Sequence, residues 1–235
     1  MAELYLIRHA QASFGTDDYD RLSELGCRQA ELLGDFLHSN KIVFDTVYTG
    51  ELLRQRQTAE LACAPQADVV FNEPDARLNE IESDQMFAKL VPELAKTSAE
   101  LEELVRKGKQ SSKHFQKALE IVFNHWVQSN EATPGLQSWA DYSGGAYNAI
   151  REIIAREGSG KSVAVFTSGG TIATIVAQVL GATEDQVYKF YEPLMNCSVT
   201  RLLYSGDKIS LSSFNDHFFI RSQAEQTGEA LLTYR

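Results

Sequence analysis

An arginine followed directly by a histidine, Arg8-His9, closes the apolar run Leu4–Ile7. Such a run reads as a buried strand, and in open α/β sheets ligands bind beyond the carboxyl ends of the strands. A guanidinium offers a planar fork of donors that matches phosphate oxygens, and a neutral imidazole nitrogen is a competent nucleophile toward phosphorus. Taken alone, the pair fits a structural histidine as well. Arg54 lies in the predicted first turn of a helix after Thr49-Gly50, where the macrodipole disfavours a cation and a bound anion would reverse the penalty. Arg56, two residues on, points elsewhere and reads as a solvated arginine. A late strand runs into Thr167-Ser168-Gly169-Gly170 and then a helical pattern. Backbone N–H groups left free at such a helix start, with the positive helix end, make an anion site that includes Ser168 and Gly169. Thr167 or Ser168 acting only as a helix cap remains an equal alternative.

These residues need a scaffold. Strand-like runs recur at Leu4–Ile7, Phe44–Tyr48, Val69–Phe71 and Val163–Phe166, with helical periodicity between most of them. The alternation predicts an α/β fold, a three-layer α/β/α arrangement around a mostly parallel sheet. Ser23 stands in capping position before one helix, and Gly181 follows another whose apolar face carries Ile172, Ile175, Val176, Val179 and Leu180. Val199–Tyr204 and Ile209–Phe214 flank Ser205-Gly206-Asp207 and read as an edge hairpin. Between Glu82 and Thr133 the strand signal gives way to two helical stretches, the second with Phe115, Leu119, Val122, Phe123 and Trp126 on one face. The expectation is one domain spanning residues 1–235 with a helical insertion at about 83–133, which either covers the sheet or faces the substrate.

The chain has 235 residues, 43% of them hydrophobic, and a formal net charge of −10. That charge opposes nucleic acid and anionic lipid, so phosphate affinity has to come from local arginines and the partner is a small anion. Cys27, Cys63 and Cys197 show no metal-ligand spacing, so they are expected to be reduced, with no metal and no cofactor. No membrane-length apolar stretch occurs and the chain starts on a strand instead of a basic, apolar leader, which predicts a cytoplasmic protein away from membranes. A homodimer is compatible with the sequence.

The order Arg8-His9, Leu22-Ser23-x-x-Gly26-x-x-Gln29-Ala30, Leu52-x-Arg54-x-x-x-Thr58-Ala59, Arg77-Leu78-Asn79-Glu80 and Gly169-Gly170-Thr171-Ile172 resembles the histidine phosphatase, or phosphoglycerate mutase-like, superfamily. The resemblance spans Glu3 to about Glu82 and about Ser162 to Asn215. It implies that His9 is the residue phosphorylated, that Arg8 and Arg54 hold the phosphoryl oxygens, and that Glu80 protonates the leaving group. A carboxyl group does so near neutral pH only if burial or negative charge raises its pKa, as a dianionic phosphate alongside would. Glu82 and Asp84 follow closely, and motif position favours Glu80. The implied function is a phosphatase acting on a small phosphorylated substrate through phosphohistidine.

Three departures stand against the family pattern. Ser168 occupies the place of the usual second histidine, and a hydroxyl donates one neutral hydrogen bond where imidazolium would add charge. Ala10 replaces the usual glycine, where its methyl would crowd the ligand. Ser143-Gly144-Gly145 lies where an arginine-bearing helix is common. Three alternatives follow: His217 supplies the missing imidazole; the protein binds phosphate without turnover; or Ser168 serves as an esterase nucleophile, against which stands Phe166 at the first glycine of Gly-x-Ser-x-Gly.

Overall fold

The computed structural model describes residues 2–13, 20–108, 111–129 and 132–234. Strand β1 (Ala2–Arg8) lies inside a six-stranded sheet with β2 (Thr46–Thr49), β3 (Val70–Phe71), β4 (Ser162–Thr167), β5 (Val199–Ser205) and β6 (Lys208–Asp216), in the order β3-β2-β4-β1-β5-β6. The pairs β3·β2, β2·β4 and β4·β1 are parallel, and β5 runs against both β1 and β6. The edge hairpin closes as expected, with Ser205 paired to Lys208 and Gly206 at φ +56° in the turn. Only a residue that tolerates the left-handed region holds that turn cheaply.

The continuous apolar strands are buried on both faces. Leu4, Leu6, Val163 and Val165 point into one core, while Tyr5, Ile7, Ala164 and Phe166 point into the other. Helices α1 (Glu24–Ser39) and α2 (Leu53–Cys63) bury Ala30, Leu33, Leu37, Ala59 and Ala62 on the second face. Helices α6 (Trp139–Glu157) and α7 (Gly169–Leu180) bury Ile150, Ile153, Ile172 and Ile175 on the first. This is the three-layer fold anticipated. Ser23 caps α1 by accepting the Gly26 N–H at 2.9 Å, and Gly181 ends α7 in the left-handed conformation. Leu180, expected on the apolar face, is exposed.

In the described part of 83–133 there are three helices instead of two: α3 (Ser83–Leu94), α4 (Ala99–Gly108) and α5 (Ser112–Gln128). The polar turn Lys96-Thr97-Ser98 separates the first two, and the Ser98 hydroxyl takes the Leu101 N–H at 3.2 Å, a cap the periodicity did not reveal. Their apolar sides, including Leu90, Leu101, Phe123 and Trp126, join the same cluster as Leu4 and Leu6. Short α8 (Val187–Tyr191) and α9 (Phe218–Thr227) complete the structure. Among the described residues no helix is long and apolar enough to cross a membrane.

One contact ties α1 to the strand end that carries the Arg-His pair. A Cβ at Gly26 would lie 2.1 Å from the Gln11 carbonyl oxygen, which is backbone and cannot swing aside, whereas a Cβ at Gly144 of α6 would meet no atom within 4 Å. Gly26→Ala should therefore cost about 1–3 kcal/mol by overpacking, and Gly144→Ala should gain roughly 0.5–1 kcal/mol from better helix propensity. Denaturant unfolding of the two variants checks this, and shifts of the same sign would contradict it.

Candidate active site

A cavity of about 640 Å³ lies beyond the carboxyl end of β1, and Arg8, His9, Arg54 and Glu80 all line it. The backbone at its floor is held from several sides. The His9 N–H donates to the Thr167 carbonyl at 2.9 Å, continuing the β1·β4 ladder by one residue. Asn196 Nδ2 donates to the His9 carbonyl at 2.9 Å, Thr58 Oγ1 accepts the Ala10 N–H at 3.0 Å, and Gln29 Oε1 accepts the Gln11 N–H at 2.9 Å. The polar residues that the sequence pattern contains, Gln29 and Thr58, thus work on the backbone that aims His9. Cys197, beside Asn196, holds φ +58°, a strained conformation for a non-glycine residue, while its N–H reaches the Arg8 carbonyl at 3.1 Å.

The imidazole of His9 is buried, with Nδ1 2.7 Å from the Ala10 carbonyl oxygen. A carbonyl only accepts, so Nδ1 carries the proton and Nε2 presents its lone pair. Arg54 Nε donates to that nitrogen at 3.2 Å. Burial, then the charge of Arg54, then that of Arg8 hold the pKa of His9 well below its ordinary value, so the ring is neutral. Arg54 Nη1 also meets Asp20 Oδ1 at 2.6 Å, and Asp20 Oδ2 takes the Leu53 N–H at 2.7 Å, so one carboxylate both caps the start of α2 and orients the arginine. Arg8 Nη1 donates to the Leu194 carbonyl. Arg56 is exposed, as its spacing predicted.

Glu80 is placed by the short 3-10 turn Ala76–Leu78, whose Leu78 is fully buried and whose carbonyl receives Thr167 Oγ1 at 2.6 Å. Its Oε1 accepts the N–H groups of Gly170 and Ile81, each at 3.0 Å. The Glu80 carboxyl oxygen therefore occupies the α7 N-terminus. Its Oε2 has no hydrogen bond among the described residues. Arg77, in the same motif, turns outward to Asp75 and Glu152.

Residues 4–217 match the model of the histidine phosphatase superfamily, branch 1. The chain belongs to the histidine phosphatase superfamily. YhfR from Bacillus stearothermophilus is similar in structure with a TM-score of 0.64 at 21% identity, over 92% of this chain and 98% of that one. A mutant phosphoserine phosphatase from Entamoeba histolytica, in complex with phosphoserine, aligns with TM-score 0.62 at 17% identity over 94% and 100% of the chains. The mycobacterial glucosyl-3-phosphoglycerate phosphatase complexed with VO3 aligns with TM-score 0.59 at 20% identity over 91% and 98%. These likenesses establish a shared fold. No curated protein sequence matches the chain.

Within this family member, Ser168 and Gly169 do not line the cavity, contrary to the sequence expectation. Ser168 is fully buried, and its Oγ accepts Gln55 Nε2 at 2.7 Å; it makes no helix-capping bond and has no histidine partner among the described residues. The reason is local: Gln55, following Arg54, fills the space beside position 168 and also donates to the Leu78 carbonyl at 3.1 Å. Gly169 serves by being small, since a Cβ there would come within 3.3 Å of Arg8 Nε and 3.1 Å of the Tyr191 ring. His217 does not reach the cavity; its Nδ1 lies 2.6 Å from the Asn215 carbonyl oxygen. The Ala10 methyl is buried in the core with Ile7, Ala30 and Ala59, so it does not crowd the cavity. Ser143-Gly144-Gly145 lies inside α6.

Sequence reasoning missed Asp20, Gln55 and Asn196, because nothing in their spacing links them to the arginines or to His9. It also left open whether the helices of 83–133 face the cavity. Phe115, Gln116 and Leu119 of α5 do line it, while Val122, Phe123 and Trp126 of the same helix are buried in the core. Cys27, Cys63 and Cys197 are free thiols.

A neutral buried His9 has a measurable consequence. The unfolded chain, with histidine titrating near about 6.5, binds a proton that the native state refuses, so stability is intact above that pH and lost as pH falls below it, by at most about 1.4 kcal/mol per pH unit for one group. His9→Gln should lack this part of the acid slope. Equal slopes for the two proteins between about pH 5 and 6.5 would show that His9 titrates at its ordinary value.

Proposed function

We propose that this protein is a phosphomonoesterase that passes the phosphoryl group of a small ester through His9. The observation that carries the reading is the unprotonated Nε2 of a neutral His9, which accepts from Arg54 Nε at 3.2 Å in the floor of a cavity that Arg8 and Glu80 also line. Arg8 and Arg54 bind the phosphoryl oxygens and stabilise the charge spread over them in the transition state. His9 Nε2 attacks phosphorus in line, the ester P–O bond breaks, and the alkoxide takes its proton from Glu80. Glu80 Oε2 suits that role, because Oε1 is already fixed by Gly170 and Ile81. Glu80, now a carboxylate, then takes a proton from water as it attacks the phosphohistidine, the N–P bond breaks, and inorganic phosphate leaves. Ser168 and Gly169 contribute from behind the cavity wall, the first by supporting Gln55 and α7, the second by leaving room for Arg8.

A binding protein without turnover is the second reading, favoured by Ser168 standing enclosed where the family carries histidine. Turnover and labelling decide between them. His9→Ala should abolish acid-labile phosphoenzyme while the fold persists, and stoichiometric label remaining in that variant would remove His9 as nucleophile. Arg54→Ala should weaken binding of vanadate, a pentacoordinate mimic, by roughly 1.5–3 kcal/mol, while Arg56→Ala should change it little; equal losses would misplace the pocket.

Position 168 supplies a separate check. Restoring the family histidine needs room, and the structure gives none, since Ser168 is fully enclosed with Gln55 Nε2 2.7 Å from its hydroxyl. Ser168→His should lower stability by about 1–3 kcal/mol through overpacking without raising phosphate release. A variant of unchanged melting temperature and faster turnover would show that the imidazole reaches the phosphoryl group.

A further inference from the structure

The cavity continues outward from the proposed phosphoryl site, and its outer wall differs in character from its floor. Among the described residues, the cations that line it are Arg8 and Arg54, both at the floor; apart from these and His9, the ionisable lining is Glu80, Glu82, Asp84, Tyr191, Glu192 and Tyr234. The neutral polar members of the lining are Ser83, Gln85 and Gln116, and its apolar surface includes Ile81, Leu119, Phe115 and the ring of Tyr191. These side chains are anchored in the body of the protein. Phe115 stacks on Phe87 with ring centroids 5.3 Å apart and 6° between planes, and Tyr191 stacks on Phe123 at 5.7 Å and 20°. Leu119 is itself part of the core.

A leaving group bonded to a phosphoryl held at His9 would extend past Glu80 along this apolar surface toward Glu82, Asp84 and Glu192. An alkyl or aryl body gains by leaving water there. Once Arg8 and Arg54 hold the phosphoryl oxygens, a second anionic group would find no further cation among the described lining residues, and would face three carboxylates instead. Glu82, Asp84 and Glu192 are exposed, so each acts weakly through solvent, but they act in the same sense at one mouth of a chain whose net charge is −10. Discrimination of this kind comes from repulsion of the wrong ligand as much as from attraction of the right one.

From this we infer that the substrate is a phosphomonoester whose leaving group has an apolar, alkyl or aryl body and carries no second negative charge. Sugar bisphosphates and phosphorylated carboxylic acids are thereby disfavoured. The inference rests on the phosphatase reading above and narrows its substrate class.

Three aryl phosphates of nearly equal leaving-group basicity test it: tyramine phosphate with a cationic tail, 4-cresyl phosphate with none, and the phosphate of 3-(4-hydroxyphenyl)propanoate with an anionic one. The neutral and cationic esters should exceed the anionic one in kcat/KM by roughly five- to tenfold at low salt, from several weak repulsions acting together. The spread should shrink to below about twofold in a Glu82→Gln, Asp84→Asn, Glu192→Gln protein or at high salt. An anionic ester cleaved as well as the neutral one overturns the inference, as does a spread that the triple variant leaves intact. Calorimetric titration of the same esters separates the two levels. A protein that cleaves none of them yet binds them in this order loses the phosphatase reading and keeps the cavity inference. One that binds none of them loses both.

Discussion

The hydrogen bond from Arg54 Nε to His9 Nε2 exists only while the imidazole is neutral, because a protonated Nε2 has no lone pair to offer. Much of the surrounding structure serves to keep it so. Burial removes the water that would solvate imidazolium, and the guanidinium groups of Arg54 and Arg8 add like charge; the Ala10 carbonyl, which accepts the Nδ1–H, pulls the other way and is outweighed. The same arrangement leaves the lone pair of a buried nitrogen beside a donor fork suited to phosphate oxygens.

Keeping that geometry requires the backbone around His9 to stay put, and its restraints come from distant parts of the chain. Thr167 in β4, Thr58 in α2, Gln29 in α1 and Asn196 before β5 each meet the backbone of residues 9–11. Gln29 and Thr58 are fully enclosed and Asn196 nearly so, and a buried polar group without a partner is costly, so these bonds fix the fold and the site together. Gln29 also donates to the Leu231 carbonyl at 2.8 Å, which ties the end of the chain to the same point. A change that disturbs the site backbone is therefore felt as lost stability, as the contact of Gly26 with the Gln11 carbonyl illustrates.

Polarity divides the cavity. At the floor the arginines meet the imidazole, and the α7 N-terminus is already satisfied by Glu80 Oε1. At the mouth the groups come from α3, α5 and the end of α8, elements that also supply Met86, Phe123 and Tyr188 to the core. The wall that a leaving group meets is thus built on packed helices, and its shape is set by core packing as much as by the side chains that face the opening.

The alternation of apolar strands and periodic helices was enough to determine the three-layer, mostly parallel sheet, because continuous apolar strands demand cover on both faces. The Arg8-His9 pair was legible because a strand end dictates where its last residues stand, and Arg54 because a cation in a helix first turn invites an anion. Ser168 was not legible: position in the chain placed it at a helix start, but only tertiary packing put the Gln55 amide against its hydroxyl and enclosed both. Ala10 was misjudged for the same reason, since a sequence cannot say that its methyl faces Ala30 and Ala59 instead of the ligand. Asp20 and the acidic mouth were decided wholly by the fold. Local patterns repeat with the period of a helix or a strand and so can be read from spacing, whereas a contact such as that between Asp20 and Arg54, 34 residues apart, follows no period and comes into being only when the chain closes on itself.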